Sequence, residues 1–240
     1  MSARAAREVI NDFIRLYDTI EASEITSSSE APPSPSDVPN PPVWRRLPKS
    51  VRAILFGLIL SRKYPQQSYA FSVNCNPHRF DDAPDVVAKI MRDMNNALRK
   101  RGLSDIAFFI GLHSTRGNRR EIHFHGSAIV SPNSLAEFKE VLRSVAGVWR
   151  PGGRRERQLH CEQRYGDTAW ENYVISESAP TRSYLLDELR CTSGRTIGMS
   201  QSATRIVHEE FTRVCGLTEK DMEFIGGRSS LTDEGLDLVA

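Results

Sequence analysis

In the stretch Glu121-Ile122-His123-Phe124-His125-Gly126, two imidazoles alternate with two apolar side chains. Alternate residues of an extended strand share a face, which sets His123 and His125 about 6.5 to 7 Å apart with Ile122 and Phe124 turned to the core. Two imidazoles at that spacing can grip one divalent cation, and a cation so held can polarise a phosphate or carbonyl oxygen. A further ligand is offered twice: Glu121 shares the face of the two histidines, and His113 ends the strand expected to pair with theirs. The plainer alternative is a pair of half-buried polar residues on a strand. A cupin-like site is excluded by Ile129 and Val130, which stand where that pattern asks for a glutamate.

These side chains need a scaffold, and the hydrophobic pattern supplies one. Strands are expected over 69–75, 106–113, 121–130 and 158–165, with 106–113 and 121–130 joined as a hairpin through a polar turn at 115–120. Helices are expected over 49–60, 84–100 with Pro84 as first residue, 132–145, and 167–177 capped by Asp167. The order strand, helix, strand, strand, helix, strand, helix predicts an α+β domain: a largely antiparallel sheet of four to five strands with helices packed on one face. Val9, Ile10, Phe13, Ile14, Tyr17 and Ile20 mark residues 1–23 as an amphipathic helix. A Pro/Ser-rich stretch over 24–43 reads as a linker, which would make that helix a detachable element suited to self-association. The main domain then covers 44–190, and 191–240 forms a helical extension with helices at 203–214 and 218–225.

Three segments resemble the motifs of the HUH endonucleases in order. Tyr69–Pro77 (YAFSVNCNP) is similar to their first motif, a strand ending in a polar triplet and proline; His123-Phe124-His125 matches the histidine-hydrophobic-histidine motif; and Trp170-Glu171-Asn172-Tyr173 resembles the segment bearing the nucleophilic tyrosine. A tyrosine after the histidines is the order of rolling-circle replication initiators. The resemblance implies an HUH/RRM-like sheet and Tyr173 as nucleophile, leaving a 5′-phosphotyrosine and a free 3′-OH. It implies a metal ion, Mn2+ or Mg2+, on His113, His123 and His125. A phenol with an ordinary pKa near 10 needs help to lose its proton at neutral pH. Glu177, one helical turn beyond Tyr173, is the candidate base for the terminating step. Two departures stand out. Ser176 holds the place where many initiators carry lysine, with Arg182 a candidate substitute, and His113 holds a place often filled by glutamate. Tyr17 and Tyr184 are read as packing residues.

The partner implied is single-stranded or hairpin DNA at a replication origin. Arg116, Arg119 and Arg120 crowd the turn before the histidines, and Arg150, Arg154, Arg155, Arg157 and Arg164 form a second basic cluster. Both flank the site in sequence and are candidates for phosphate contact, while Trp149 and Trp170 are candidates for base stacking. A net charge of +2, from 32 basic and 30 acidic residues, neither demands nor excludes such a partner. No P-loop is present, so unwinding would fall to a host helicase, with a host polymerase to extend the 3′ end. A homo-oligomer is compatible with the first helix. With no apolar stretch of membrane-spanning length, no secretory signal and four cysteines without CxxC spacing, the chain is expected in the cytoplasm with reduced thiols. A non-catalytic DNA-binding regulator and a metal-dependent hydrolase of small substrates are the two competing functions.

Overall fold

The computed structural model describes residues 3–26, 44, 47–76, 78–114, 122–148, 158–164, 166 and 168–215. Glu121, Arg116, Arg119, Arg120, Arg154, Arg155 and Arg157 lie outside the described residues, as do Trp149, Arg150, most of the linker and the helix expected at 218–225.

Five described strands form one sheet: β1 (Ser68–Asn74), β2 (Ala107–Ser114), β3 (Ile122–Ile129), β4 (Leu159–Gln163) and β5 (Ile197–Met199). Their order is β4-β1-β3-β2-β5, and every neighbouring pair is antiparallel. The helices are α1 (Ala3–Thr26), α2 (Lys49–Lys63), α3 (Val86–Lys100), α4 (Leu135–Ala146), α5 (Ala169–Ser176), α6 (Ser178–Ser183) and α7 (Gln201–Val214), with a π-helical turn at Tyr184–Glu188. The α+β class expected from the pattern is the class observed.

Helices cover both faces of the sheet, not one. Phe71 and Val73 of β1, Phe108, Ile110 and Leu112 of β2, and Phe124 of β3 pack against α3 and α4 in a first core. Phe71 sits at its centre, with ring centroids 6.3 Å from Phe124 and 5.8 Å from Phe138 of α4. Ala107 and Phe109 point the other way, into a second core with α2 and α7. The signal was in β2 itself: Ala107-Phe108-Phe109-Ile110-Gly111-Leu112 runs apolar without alternation, as a strand buried on both faces does.

Local chemistry places the helix ends. The Asp85 carboxylate accepts from the Ala88 N–H at 2.7 Å, so α3 starts at Val86 and Pro84 precedes the cap instead of opening the helix. Ser200 caps α7 by accepting from Ala203 N–H at 3.1 Å. β5 lies beyond residue 190, in the stretch read as a helical extension, and supplies the sheet's outer strand beside β2. The first helix runs to Thr26, into the expected linker, and it is packed and not detached. Phe13 stacks on Phe211 of α7 at 6.1 Å, and the Arg62 guanidinium of α2 lies over the buried Tyr17 ring at 4.8 Å. Tyr17 and the half-buried Tyr184 both serve packing, as their apolar surroundings suggested. Cys75, Cys191 and Cys215 are buried, Cys161 is partly so, and all four are free thiols. No described helix is long and apolar enough to cross a membrane.

Candidate metal centre

The β2–β3 hairpin register places His113 directly opposite His123, and His125 opposite Gly111. Strand alternation sets His123 and His125 on one face of β3, and cross-strand pairing adds His113 to that face, at the end of the hairpin where Ser114 pairs with Ile122. One ligand nitrogen from each of His113, His123 and His125 lies within 4.8 Å of the others, so the triad can hold a metal ion. The ring centroids are 4.3 Å apart for His113 and His125, 4.9 Å for His123 and His125, and 5.5 Å for His113 and His123.

Neighbouring groups orient two of the rings. His113 Nε2 lies 2.9 Å from the Val174 carbonyl of α5, which can only accept, so the proton sits on Nε2 and Nδ1 keeps its lone pair. On the other side β1 places Ser72 opposite His125, and Ser72 Oγ meets His125 Nδ1 at 2.6 Å. That leaves His125 Nε2 buried with no hydrogen-bond partner. A buried polar atom without a partner costs on the order of 1–3 kcal/mol, and a bound cation removes that cost. Ser72 belongs to the YAFSVNCNP strand, but its role depends on the β1–β3 register, which no local pattern reveals.

Burial holds the His125 imidazole down to about 3, with His113 and His123 pushing the same way. Burial also lowers His113, against the opposing pull of the Val174 carbonyl and the Glu177 charge. Both rings are therefore neutral at pH 7, the form that ligates metal. The same shifts set a pH dependence for the metal-free protein. Below pH 6.5 the unfolded chain takes up protons that the folded chain refuses, so stability present above pH 6.5 is lost as pH falls. His125 alone should cost about 2 kcal/mol between pH 6.5 and 5, read by chemical denaturation in chelator; His125→Asn should flatten that slope.

Tyr173 of α5 stands over the triad. Its ring centroid is 5.3 Å from His113 and 5.4 Å from His125, and the residue is 48% exposed. Trp170, one turn earlier, is 5.6 Å from Tyr173 and 5.5 Å from His125, and its Nε1–H donates to the Gly126 carbonyl at 3.0 Å. This hydrogen bond anchors Trp170 as a wall of the site, with its ring half-buried. Glu177 ends α5 and is exposed, and its charge reaches His113. The Ser176 hydroxyl donates to the Tyr173 carbonyl at 2.8 Å, so it serves its own helix. Arg182 lies on α6 and is exposed.

Close approach of α5 depends on Gly111. A β-carbon there would lie 2.3 Å from Val174 Cγ1 and 3.1 Å from its carbonyl oxygen. Gly111→Ala should therefore lift α5 off the sheet, costing about 1–3 kcal/mol of stability by thermal denaturation.

One arginine read as a phosphate contact is not on the surface. The Arg164 side chain is 2% exposed and pairs with the fully buried Glu171 at 2.5 Å. Glu171 also accepts from Ser127 Oγ at 2.9 Å. Burial pushes the Glu171 carboxyl up, while Arg164 and Ser127 pull it down. Sequence reasoning missed Glu171, Ser127 and Ser72 because a buried polar residue in a strand or helix looks like any exposed one until the facing element is known. Compared with protein-family models, curated proteins and solved structures, the chain matches none.

Proposed function

We propose that this protein is a metal-dependent, site-specific single-strand DNA nicking and joining enzyme of the replication-initiator type, with Tyr173 as its nucleophile. The observation that carries the reading is the position of Tyr173. It is half-exposed and lies against His113 and His125, so a phosphate reached by the phenol would also face the three imidazole nitrogens. A bound divalent cation, Mn2+ or Mg2+, supplies Lewis acidity to the phosphate oxygens.

The protein's own groups do the rest. The Tyr173 hydroxyl oxygen attacks phosphorus, its proton passing to water or to a carboxylate such as Glu177. The bond from phosphorus to the 3′ oxygen breaks, and that oxygen leaves as a 3′-OH after taking a proton from water. The 5′ phosphate stays on the tyrosine, which preserves the bond's energy for rejoining. Trp170 offers a half-buried ring beside the tyrosine for a base to stack on. Ser114 and Ile122, the described residues on either side of the segment with Arg116, Arg119 and Arg120, and Leu159, which follows the segment with Arg154, Arg155 and Arg157, all lie in register at the end of the sheet where the histidines sit. The partner is the strand or hairpin of an origin, in the cytoplasm, with host helicase and polymerase.

One observation favours a second reading, a DNA-binding regulator without catalysis. Ser176 stands in the lysine position and spends its hydroxyl on the α5 backbone, so it brings no charge to the leaving oxygen. A single experiment separates the two. The protein is incubated with Mn2+ and a labelled pool of single-stranded and hairpin oligonucleotides, then run on a denaturing gel. A labelled band of protein plus DNA is the expected result. Retention of the same oligonucleotides on a native gel with no denaturant-resistant band would replace the nickase with the regulator.

A further inference from the structure

The buried pair Arg164–Glu171 is left unused by the chemistry above. It is buried beside the second core, and it ties α5 to both α2 and β3. Glu171 Oε2 meets Arg164 Nη2 at 2.5 Å, and Glu171 Oε1 accepts from Ser127 Oγ of β3 at 2.9 Å. Arg164 Nη1 donates to the Gly57 carbonyl of α2 at 2.9 Å and to the Gly166 carbonyl at 3.3 Å. The space is cut to the carboxylate: a β-carbon on Gly57 would lie 2.3 Å from Glu171 Cδ.

Stability alone is a poor reason for such a pair. Replacing a buried ion pair with apolar residues of similar volume is often neutral or stabilising, whereas removing one partner is strongly destabilising. What a charged pair with several directed hydrogen bonds adds is orientation. Apolar side chains such as Val174 and Ile175 can repack around a rolled helix, but Glu171 cannot keep Arg164 and Ser127 unless α5 holds one roll angle. At about 100° per residue, that roll decides where Trp170 and Tyr173 face. Ser127 follows His125 by two residues on the same face of β3, so the clamp refers α5 to the strand that carries the metal ligands.

We propose that Arg164 and Glu171 are positioning residues: a buried clamp that fixes the roll of α5 and so aims Tyr173 and Trp170 at the histidine triad. The catalytic part of this proposal rests on the nickase reading; the geometric part does not. The test therefore has two arms on the full-length chain. In the first, Cu2+ is titrated while tryptophan emission is followed. Cu2+ on the triad quenches Trp170, whose ring lies 5.5 Å from His125, and Trp170→Phe removes that portion of the quench. In the second, the rate of covalent adduct formation is measured at saturating oligonucleotide, alongside the Kd for that oligonucleotide.

Glu171→Gln strands the Arg164 charge, so it should lower the Tm. The double variant Arg164→Met/Glu171→Leu removes both charges and should recover the wild-type Tm. In the double variant the Cu2+ affinity and the oligonucleotide Kd should stay within about threefold of wild type, because the ligands sit on the sheet. The Trp170 quench should fall by at least about half, and adduct formation by at least about 30-fold, a loss in the rate and not in binding. Ser127→Ala, which removes one hydrogen bond and no charge, should show a smaller loss of the same kind. A double variant with wild-type Tm, wild-type quench and wild-type adduct rate would overturn the clamp and leave the pair as packing. If the wild-type protein forms no adduct, the nickase reading fails while the quench arm still decides the clamp.

Discussion

Tyr173→Phe should abolish the covalent protein–DNA adduct, by at least about 10³-fold, while the Kd for single-stranded DNA stays within about threefold. The size of the effect follows from the chemistry: phenylalanine has no oxygen to attack phosphorus, and no neighbouring side chain of α5 replaces it. Trp170, Asn172 and Val174 carry no comparable nucleophile, and Ser176 is turned onto the backbone. Binding should survive because the phenylalanine ring keeps the contacts of the tyrosine ring with His113, His125 and Trp170, which are ring contacts at 5.3, 5.4 and 5.6 Å. Stability should survive as well, since removing a hydroxyl from a half-exposed residue leaves no buried group unpaired. The measurement is a denaturing gel of labelled oligonucleotide with wild type and variant, next to a native-gel titration. A variant that still forms the adduct places the nucleophile elsewhere. A variant that loses DNA binding and adduct together shows that the tyrosine serves recognition, which the regulator reading would then explain.

The parts of the site that could be read in the sequence are those carried by short-range periodicity. His123 and His125 share a face because they are two residues apart on a strand, and any register of that strand preserves this. His113 joins them because the turn segment between β2 and β3 is bounded by hairpin partners, Ser114 and Ile122, which fixes their pairing. What could not be read depends on which element faces which. Ser72 meets His125 only because β1, and not another strand, lies beside β3. Arg164 reads as a member of a basic cluster because Arg150, Arg154, Arg155 and Arg157 precede it within fourteen residues; its burial comes from Gly57 of α2, far away in the chain, and from Glu171 of α5, seven residues on. The three residues of β5 are too few to display alternation, and their strand character comes from pairing with β2. The apolar stripe of α1 announced a buried face without naming its cover, and the proline-rich stretch after it suggested separation where the fold instead stacks Phe13 on Phe211.

Replacing both strand histidines, His123→Ala with His125→Ala, should remove metal binding at this site, a loss of at least about 10³-fold in affinity, or about 4 kcal/mol. Only His113 would remain of the triad, and one imidazole does not hold a divalent cation at micromolar concentration against water. The fold should tolerate the change. His125 Nε2 is a buried atom with no partner in the metal-free protein, so its removal lifts a cost that partly offsets the space left behind. Two readouts separate a lost site from a lost fold: the Tm in chelator should stay near that of wild type, while the rise in Tm that Mn2+ or Zn2+ gives the wild type should vanish. Covalent adduct formation should vanish with it. A variant whose Tm still rises by the wild-type amount would move the metal away from the triad. The pH dependence sharpens the test further. Burial already keeps His125 and His113 neutral at pH 7, so the wild type need not shed protons from these rings to bind metal. With two of its three ligands already neutral, its affinity should weaken less from pH 7.5 to 6 than that of a site made of three ordinary exposed histidines.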